Sequence, residues 1–328
     1  MRRREFISLL GGATVSWPAL TLAEGRIPVV GLLIANAESD PEGQARTLAF
    51  RNGLKEFGRT EGRNIEIDYR WGMADPDRAR AEIAELVARS PDVVVSGGTL
   101  ASSLLHGATQ TIPIVFVVVI DPVGEGLVRS VARPGGNITG FSTFEPEIGG
   151  KWLELLREVS PDVLRVGVLS DPEFKSAAAV WRALEELSKD KGIRATALAF
   201  RDPSVEVDPI IAGFAEGEKG GLIVLPTAAN NFARKKIISA SARFRLPAIY
   251  PFRQYSNEGG LISYGVDVLD LYKKSASYVD RILRGEKPAD LPVQAPTKYE
   301  LAINVKTAKT LGLVIPPSLL ARADEVIE

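Results

Sequence analysis

Hydroxyl side chains and two glycines stand where an apolar, β-branched run gives way to a helical pattern. Ser96, Gly97, Gly98 and Thr99 separate the run VVV at residues 93–95 from the segment LASSLLHGAT at residues 100–109. If a helix begins here, its first amide groups have no partner within the helix. Together with the hydroxyls they form a small anion site suited to a carboxylate. The competing interpretation is an ordinary helix start, in which Thr99 occupies the N-cap and serves only its own helix.

Further candidate side chains stand at the ends of other predicted strands, where open parallel sheets bind their ligands. They are Asn36, Asp121, Ser142, Asp171, Thr227, Tyr250, Tyr264 and Asp267. Asp121 and Asp267 could each pair with an ammonium group, or each could cap the helix that follows it. The two tyrosines could stack on a ring of the ligand or pack at the edge of the core. Asp171 precedes a proline and could equally belong to a turn.

Several kinds of chemistry lack their defining residues. The chain has no Cys and a single His, His106, which makes a metal cluster or a Ser-His-Asp triad hard to build. No G-x-G-x-x-G follows the first strand, and neither a P-loop nor a G-x-S-x-G motif is present. The net charge of −1 does not favour nucleic acid as a partner. We therefore expect no catalytic residues, no metal and no cofactor.

The elements that carry these residues alternate regularly along 328 residues, enough for two domains. Apolar runs at residues 29–34, 93–95, 114–119, 165–169 and 222–225 predict buried strands. The segments between them have helical spacing, including residues 123–132 and 231–244. This order predicts an α/β fold with parallel sheets covered on both faces. A second unit of similar length begins after the loop RPGGN at residues 133–137.

The first 25 residues have the three-part layout of an export signal. Basic residues come first, an apolar run follows, and small residues near Ala23 stand where a peptidase would cleave. Arg3 and Arg4, followed by EFI, are similar to a twin-arginine signal, although Arg2 stands where that signal has Ser or Thr. The general secretory route stays open for this reason, and a basic amphipathic helix at a membrane surface is the alternative. We expect a periplasmic protein.

Motifs along the chain resemble the type I periplasmic substrate-binding proteins of ABC transporters. They are IPVVGLL at 27–33, GLKEFG at 53–58, IDPVG at 120–124, PGGNITG at 134–140, GGLISYG at 259–265 and YELAIN at 299–304. The resemblance spans essentially the whole mature chain. It implies two doubly wound parallel-sheet lobes joined by crossover strands, at residues 26–140 and 141–264. Residues 265–328 would cross back to the N-terminal lobe and end in a tail.

The same resemblance implies a function and its partners. A small ligand would lie in the cleft between the lobes, and similar proteins with an assigned ligand tend to bind amino acids, aromatic ones among them. Residues 96–99 would hold the carboxylate, with the loops at Asp121 and Asp267 facing the cleft. The expected protein partner is an ABC permease in the inner membrane, and a monomer is expected. Because the lipobox cysteine of many relatives is missing, we expect an unanchored protein.

Other functions stay open at this stage. An exported α/β hydrolase-like enzyme would need a nucleophile with a base partner, which one histidine hardly supplies. A transcription regulator of related fold would need a DNA-binding module before the first strand, where the export-like leader stands. A ligand-sensing domain is a further alternative, since binding proteins of this kind also serve receptors.

Overall fold

The structure is a computed structural model that describes residues 26–144, 148–170, 175–200, 206–217 and 219–328. The predicted export signal and Asp171 lie outside the described residues. Within the described ranges, no helix has the length and apolar character of a membrane span.

The first half of the chain forms a five-stranded parallel sheet in the order β2-β1-β3-β4-β5. Its strands are β1 (Val29–Ile34), β2 (Glu66–Trp71), β3 (Val93–Gly97), β4 (Ile114–Val119) and β5 (Ile138–Ser142). The helices between them are α1 (Pro41–Glu56), α2 (Pro76–Ala88) and α3 (Thr99–Ala108). β3 is buried along its whole length, as expected for an apolar strand covered on both faces, whereas the edge strand β2 is partly exposed.

The second half forms a seven-stranded sheet in the order β12-β11-β10-β9-β8-β6-β7. Its strands are β6 (Arg165–Ser170), β7 (Arg194–Ala199), β8 (Gly220–Val224), β9 (Ala248–Tyr250), β10 (Ile262–Val266), β11 (Tyr299–Asn304) and β12 (Glu325–Ile327). Neighbouring strands are parallel except β10 and β11, which are antiparallel.

Helices cover this second sheet and also return to the first. They are α4 (Ile148–Val159), α5 (Lys175–Asp190), α6 (Val207–Ala215), α7 (Ala228–Phe232), α8 (Arg234–Arg243), α9 (Arg253–Asn257), α10 (Val268–Leu283), α11 (Val305–Leu311) and α12 (Pro317–Leu320), with a 3-10 helix at Pro288–Asp290. α10 packs against α1 and against β3, β4 and β5. We call the first sheet with α1, α2, α3 and α10 the N-terminal lobe, and the second sheet with its remaining helices the C-terminal lobe.

The chain passes between the lobes after β5, after β10 and again after Gln294. At Gln294 it pairs with β5: the Gln294 amide donates to the Gly140 carbonyl at 2.9 Å, and the Ser142 amide donates to the Gln294 carbonyl at 2.9 Å. The tail then returns to the C-terminal lobe, where β11 and β12 extend the sheet. The structure thus assigns the tail to a lobe, which the sequence pattern did not.

Two predicted helices differ in the structure. The helix expected at residues 123–132 is wrong, because these residues form turns and irregular backbone. Asp121 (φ +42°) and Gly126 (φ +78°) adopt left-handed conformations that a right-handed helix does not accommodate. The helix expected at residues 231–244 is divided into α7 and α8, which meet at Ala233, where ψ is 1°.

Candidate ligand-binding cleft

A cleft lies between the carboxyl ends of the strands of the two lobes. The N-terminal lobe lines it with residues 97–101 and with Ala35, Arg46, Met73, Val118 and Ile120, and the C-terminal lobe with residues 226–228, Asn231 and Phe252. Parallel strands place the loops after their carboxyl ends at one edge, so segments far apart in sequence converge here.

The start of α3 supplies polar backbone groups to this cleft. Gly98 is the N-cap, with φ 93° and ψ 160°, and Thr99 is the first helical residue. The prediction that Thr99 occupies the N-cap is therefore wrong, and no side chain in the described part of the protein caps α3. The reason is conformational, since a positive φ at the turn suits glycine and not threonine. The first amides of α3 lack intrahelical partners, so they and the Thr99 hydroxyl remain available at the cleft.

Ser96 lies on the other side of this turn. It is fully buried, and its Oγ accepts a hydrogen bond from Ser102 Oγ at 3.1 Å. Ser102 Oγ also lies 2.8 Å from the Gly98 carbonyl. Because strand side chains alternate in direction, Ser96 faces α3 while Gly97 faces the cleft. The Ser96 hydroxyl thus supports the turn and does not line the cleft.

Backbone strain accompanies the cleft wall at the end of β4. The register between β4 and β5 shifts between Val117 and Val119, and Val118 has φ +62°. A β-branched residue is rarely found in this region, which costs about 1–3 kcal/mol. The bulge places Val118 in the lining of the cleft.

The C-terminal lobe contributes Thr227 and Asn231. The Thr227 hydroxyl accepts a hydrogen bond from the Asn230 amide at 3.2 Å and caps α7. Asn230 Nδ2 binds the carbonyls of Leu169 and Leu225 at 2.9 and 2.8 Å, which fastens this loop to the sheet. Asn231 Oδ1 accepts a hydrogen bond from Gln254 Nε2. Thr227 was a sequence candidate, whereas Asn231 was not.

Arg46 is the ionisable side chain among the described residues that line the cleft, and the sequence analysis missed it. It lies on α1 and is 4% exposed. Its Nε is 3.1 Å from Glu42 Oε1, and Nη2 is 3.4 Å from Gln254 Oε1 in the other lobe. A charged residue between buried positions of an amphipathic helix, here Gly43 and Phe50, was the signal that could have revealed it.

The acidic candidates lie outside the cleft lining and have other partners. Asp121 Oδ1 accepts a hydrogen bond from the Gly124 amide at 2.8 Å and stabilises the turn after β4. Asp267 Oδ1 accepts one from the Asp270 amide at 3.0 Å and caps α10. The structure therefore agrees with the capping interpretation for Asp267. Asp121 plays a similar local role, although it stabilises a turn and not a helix.

The remaining candidates also make their contacts outside the cleft lining. Tyr250 is buried and stacks on Tyr255, with ring centroids 5.0 Å apart, and Tyr264 stacks on Tyr299 at 5.6 Å. These contacts are those of core packing. Asn36 Nδ2 donates to Asp40 Oδ2 at 3.0 Å, and Ser142 Oγ donates to the Gln294 carbonyl at 3.2 Å, at the crossover.

The other lining residues that the sequence did not single out are apolar. They are Ala35, Met73, Leu100, Ala101, Val118, Ile120, Pro226, Ala228 and Phe252. Their types are those of any protein core, so composition gives no signal, and only their position at strand ends is informative. In the described part of the chain, no group of three or more His, Cys, Asp or Glu side chains could hold a metal ion.

Comparison with known proteins defines the family. The family model described as ABC transporter substrate binding protein matches residues 34–327, and the chain belongs to this family. Proteins of this family bind small ligands outside the cytoplasm and deliver them to ABC permeases. The two lobes with parallel sheets form the type I periplasmic binding protein fold.

Individual relatives agree with this assignment. A tyrosine-binding protein of Clostridioides difficile (strain R20291) is 26% identical over 265 residues, which are 80% of this chain and 75% of the relative. The crystal structure of a conserved domain protein from Vibrio cholerae O1 biovar El Tor is 30% identical, with a TM-score of 0.85 over 92% of this chain and 100% of that one. An ABC domain from Streptococcus pneumonia in complex with L-Trp is 25% identical, with a TM-score of 0.84 over 92% of this chain and 99% of that one.

Proposed function

We propose that this protein captures an amino acid with an apolar, aromatic side chain and delivers it to an ABC permease for import. The observation that carries the proposal is the composition of the cleft. The unpaired amides of α3 and the Thr99 hydroxyl lie at one place, and apolar side chains form most of the remaining wall. A tyrosine-binding relative and the L-Trp complex of another support the same ligand class.

In this proposal the two ends of the ligand meet different surroundings. The carboxylate contacts the α3 amides and Thr99, because a helix N-terminus carries partial positive charge. The aromatic ring packs against Met73, Ile120 and Phe252, which removes apolar surface from water. Thr227 and Asn231 are the polar side chains that the C-terminal lobe offers to the ammonium group.

We further infer that the protein acts as a monomeric binding protein and not as an enzyme. We also infer that it is exported to the periplasm and that its signal is cleaved near Ala23. The basic and apolar pattern of residues 1–25 supports export. Sequencing the N-terminus of protein recovered from the periplasm tests this point, and a mature chain that still carries Arg3 and Arg4 would contradict it.

Isothermal titration calorimetry tests the ligand class. We expect L-tryptophan or L-tyrosine to bind with one site per chain, and D-arabinose and L-alanine to bind far more weakly. Thermal unfolding gives an independent readout, since a ligand at about 100 times its Kd stabilises the folded protein by about 2.7 kcal/mol. Tight binding of a sugar without binding of any amino acid would overturn the proposal.

A further inference from the structure

A buried cation lies in the wall of the cleft, and the helix that carries it does not explain its position. Arg46 is 4% exposed and lines the cleft beside the start of α3. An ion pair between residues four apart on a helix is normally solvated and needs no burial. Among the described lining residues Arg46 alone carries a full charge, and its counter-charge Glu42 lies outside the lining.

The protein itself satisfies only part of this guanidinium. Arginine has five N–H donors. To residues that the structure describes, Arg46 donates one hydrogen bond from Nε to Glu42, at 3.1 Å, and a long one from Nη2 to Gln254, at 3.4 Å. Glu42 therefore meets Arg46 through a single contact and not through the bidentate geometry of the strongest pairs.

The hydroxyl of Tyr272 provides a second observation at the same place. Its oxygen is buried and has no partner in hydrogen-bond geometry in the described part of the chain. Arg46 Cζ lies 5.9 Å from the centroid of the Tyr272 ring. The hydroxyl is also so close to Gly97 that a Cβ on this residue would be 2.1 Å from it. Burial raises the pKa of Tyr272, while the charge of Arg46 and its closeness as a hydrogen-bond donor oppose that rise.

Gln254 extends the arrangement to the other lobe. Its Oε1 faces Arg46, and its Nε2 donates to Asn231 Oδ1. Arg46 and Asn231 line opposite walls of the cleft, whereas Gln254 lies behind them. One side chain thus orients a cleft-lining polar group of each lobe.

We propose that Arg46 selects ligands by their negative charge, contacting the same carboxylate that the start of α3 receives, and that Tyr272 is a positioning residue for Arg46. This inference rests on the cleft being the ligand site, which is part of the proposed function, but it does not require an amino group on the ligand. A carboxylate gives the buried guanidinium a second anionic partner beside Glu42, whereas a neutral ligand offers no charge to its remaining N–H donors. Sites built in this way discriminate strongly.

The test compares acids with their neutral amides on four variants and the wild type. The probes are L-tryptophan with L-tryptophanamide, and indole-3-acetate with indole-3-acetamide. The variants are Arg46→Met, Arg46→Lys, Tyr272→Phe and, as a matched control, Arg51→Met. Arg51 lies on the same helix and pairs with Glu61 at 3.0 Å, but its side chain is 46% exposed and outside the cleft.

We expect wild type and Arg51→Met to prefer each acid to its amide. Arg46→Met should weaken binding of the acids by about 10- to 100-fold and change binding of the amides little, so the preference disappears. Arg46→Lys should keep part of the preference, because it retains the charge without the planar fork. Tyr272→Phe should reduce the preference, because it removes the hydroxyl beside the guanidinium of Arg46. It should cost little thermal stability, because this hydroxyl is not in full hydrogen-bond geometry with any described residue.

The outcomes separate this inference from the proposed function. If Arg46→Met prefers acids as strongly as wild type does, Arg46 is structural and the inference is wrong, while the proposed function stands. If only the amine-free acid binds, and binds through Arg46, the amino acid assignment fails and the inference stands. If wild-type protein binds none of the acids, both are overturned.

Discussion

At the scale of single residues, Thr99 does not cap α3, because the glycine before it occupies the N-cap. Since Gly98 is the N-cap and no side chain that the structure describes caps α3, the Thr99 hydroxyl makes no contribution to starting its helix. Thr99 lines the cleft, and in the proposed function its hydroxyl contacts the carboxylate of the ligand.

Replacing Thr99 with Val should therefore weaken binding of the ligand by roughly 1–3 kcal/mol, through loss of a hydrogen bond to a charged group. Its free energy of unfolding in urea should stay close to that of wild type. Thr310→Val is the control, since the Thr310 hydroxyl is bonded to the Lys306 carbonyl on an exposed helix. Wild-type affinity combined with lower stability would show that Thr99 serves only the helix.

For Asp267 we expect a loss of stability and little loss of binding, because its carboxylate caps α10. Asp267→Ala should lower the free energy of unfolding by about 0.5–2 kcal/mol. Calorimetry should show that the substitution changes the affinity for an amino acid and for its amine-free analogue by the same small amount. A selective loss of the amino acid would instead assign Asp267 to the ammonium group.

Asp40 gives a pH dependence whose sign follows from its partners. Burial alone would raise the pKa of this carboxyl group, but hydrogen bonds from Asn36 and the Glu42 amide, together with the charge of Arg234, hold the pKa below its ordinary value of 3.8. A lowered pKa in the folded state means that the stabilisation is fully present above the ordinary value and is lost as the pH falls through the folded value. Asp40→Asn should be less stable than wild type at about pH 6, and this gap should narrow at about pH 3. Urea unfolding at both pH values measures it, and a gap that widens in acid would contradict the assignment.

At the scale of elements, the contact between α1 and α10 sets the shape of the N-terminal lobe. Gly53 on α1 faces the backbone of α10, where a Cβ would lie 2.2 Å from the Lys273 carbonyl oxygen and 2.9 Å from Ala276 Cβ. The two helices approach this closely because the side chain is absent. Their packing also fixes Arg46 against Tyr272, so the cleft depends on it.

Gly53→Ala should force the helices apart and lower the free energy of unfolding by about 1–3 kcal/mol. Gly107→Ala is a matched helical control, since nothing lies within 4 Å of its added Cβ, and it should stabilise the protein by about 0.5–1 kcal/mol. Chemical denaturation of both variants measures the difference. Equal effects at the two sites would mean that α1 and α10 do not constrain each other.

At the scale of the whole molecule, polar side chains join the lobes beside the cleft. Arg234 Nη2 in the C-terminal lobe lies 2.9 Å from Asp40 Oδ2 in the N-terminal lobe, and its own lobe supplies Glu258 at 3.0 Å. Its side chain is 8% exposed, so solvent screens the pair little. An arrangement with the lobes moved apart would lose this charged contact.

Arg234→Met should shift the lobes toward an open arrangement and weaken ligand binding by about tenfold, or about 1.4 kcal/mol. Small-angle X-ray scattering without ligand should show a larger radius of gyration than wild type, and saturating ligand should reduce it. Arg243→Met, which removes an exposed pair with Asp208 inside one lobe, is the control. If the two variants scatter and bind alike, the contact does not hold the lobes together.

The sequence by itself determined the local elements and the edge at which the ligand site lies. The bounds of β1 and β4 are those of the apolar runs at residues 29–34 and 114–119. The strand-end rule also directed attention to residues 97–99 and to Thr227, which the structure brings to one cleft. Hydrophobic periodicity, helix capping and strand direction depend on residues close together in the chain, so they can be recognised from the sequence.

The tertiary structure alone decided which polar side chains face the cleft. The sequence positions of Asp121 and Asp267 are compatible with binding an ammonium group, but nearby backbone amides donate hydrogen bonds to both carboxylates. Arg46 and Gln254, 208 residues apart, meet only because α10 and the crossovers bring the lobes together. A contact of this range leaves no periodic signal, because its free energy depends on packing between elements and not on neighbours in the chain.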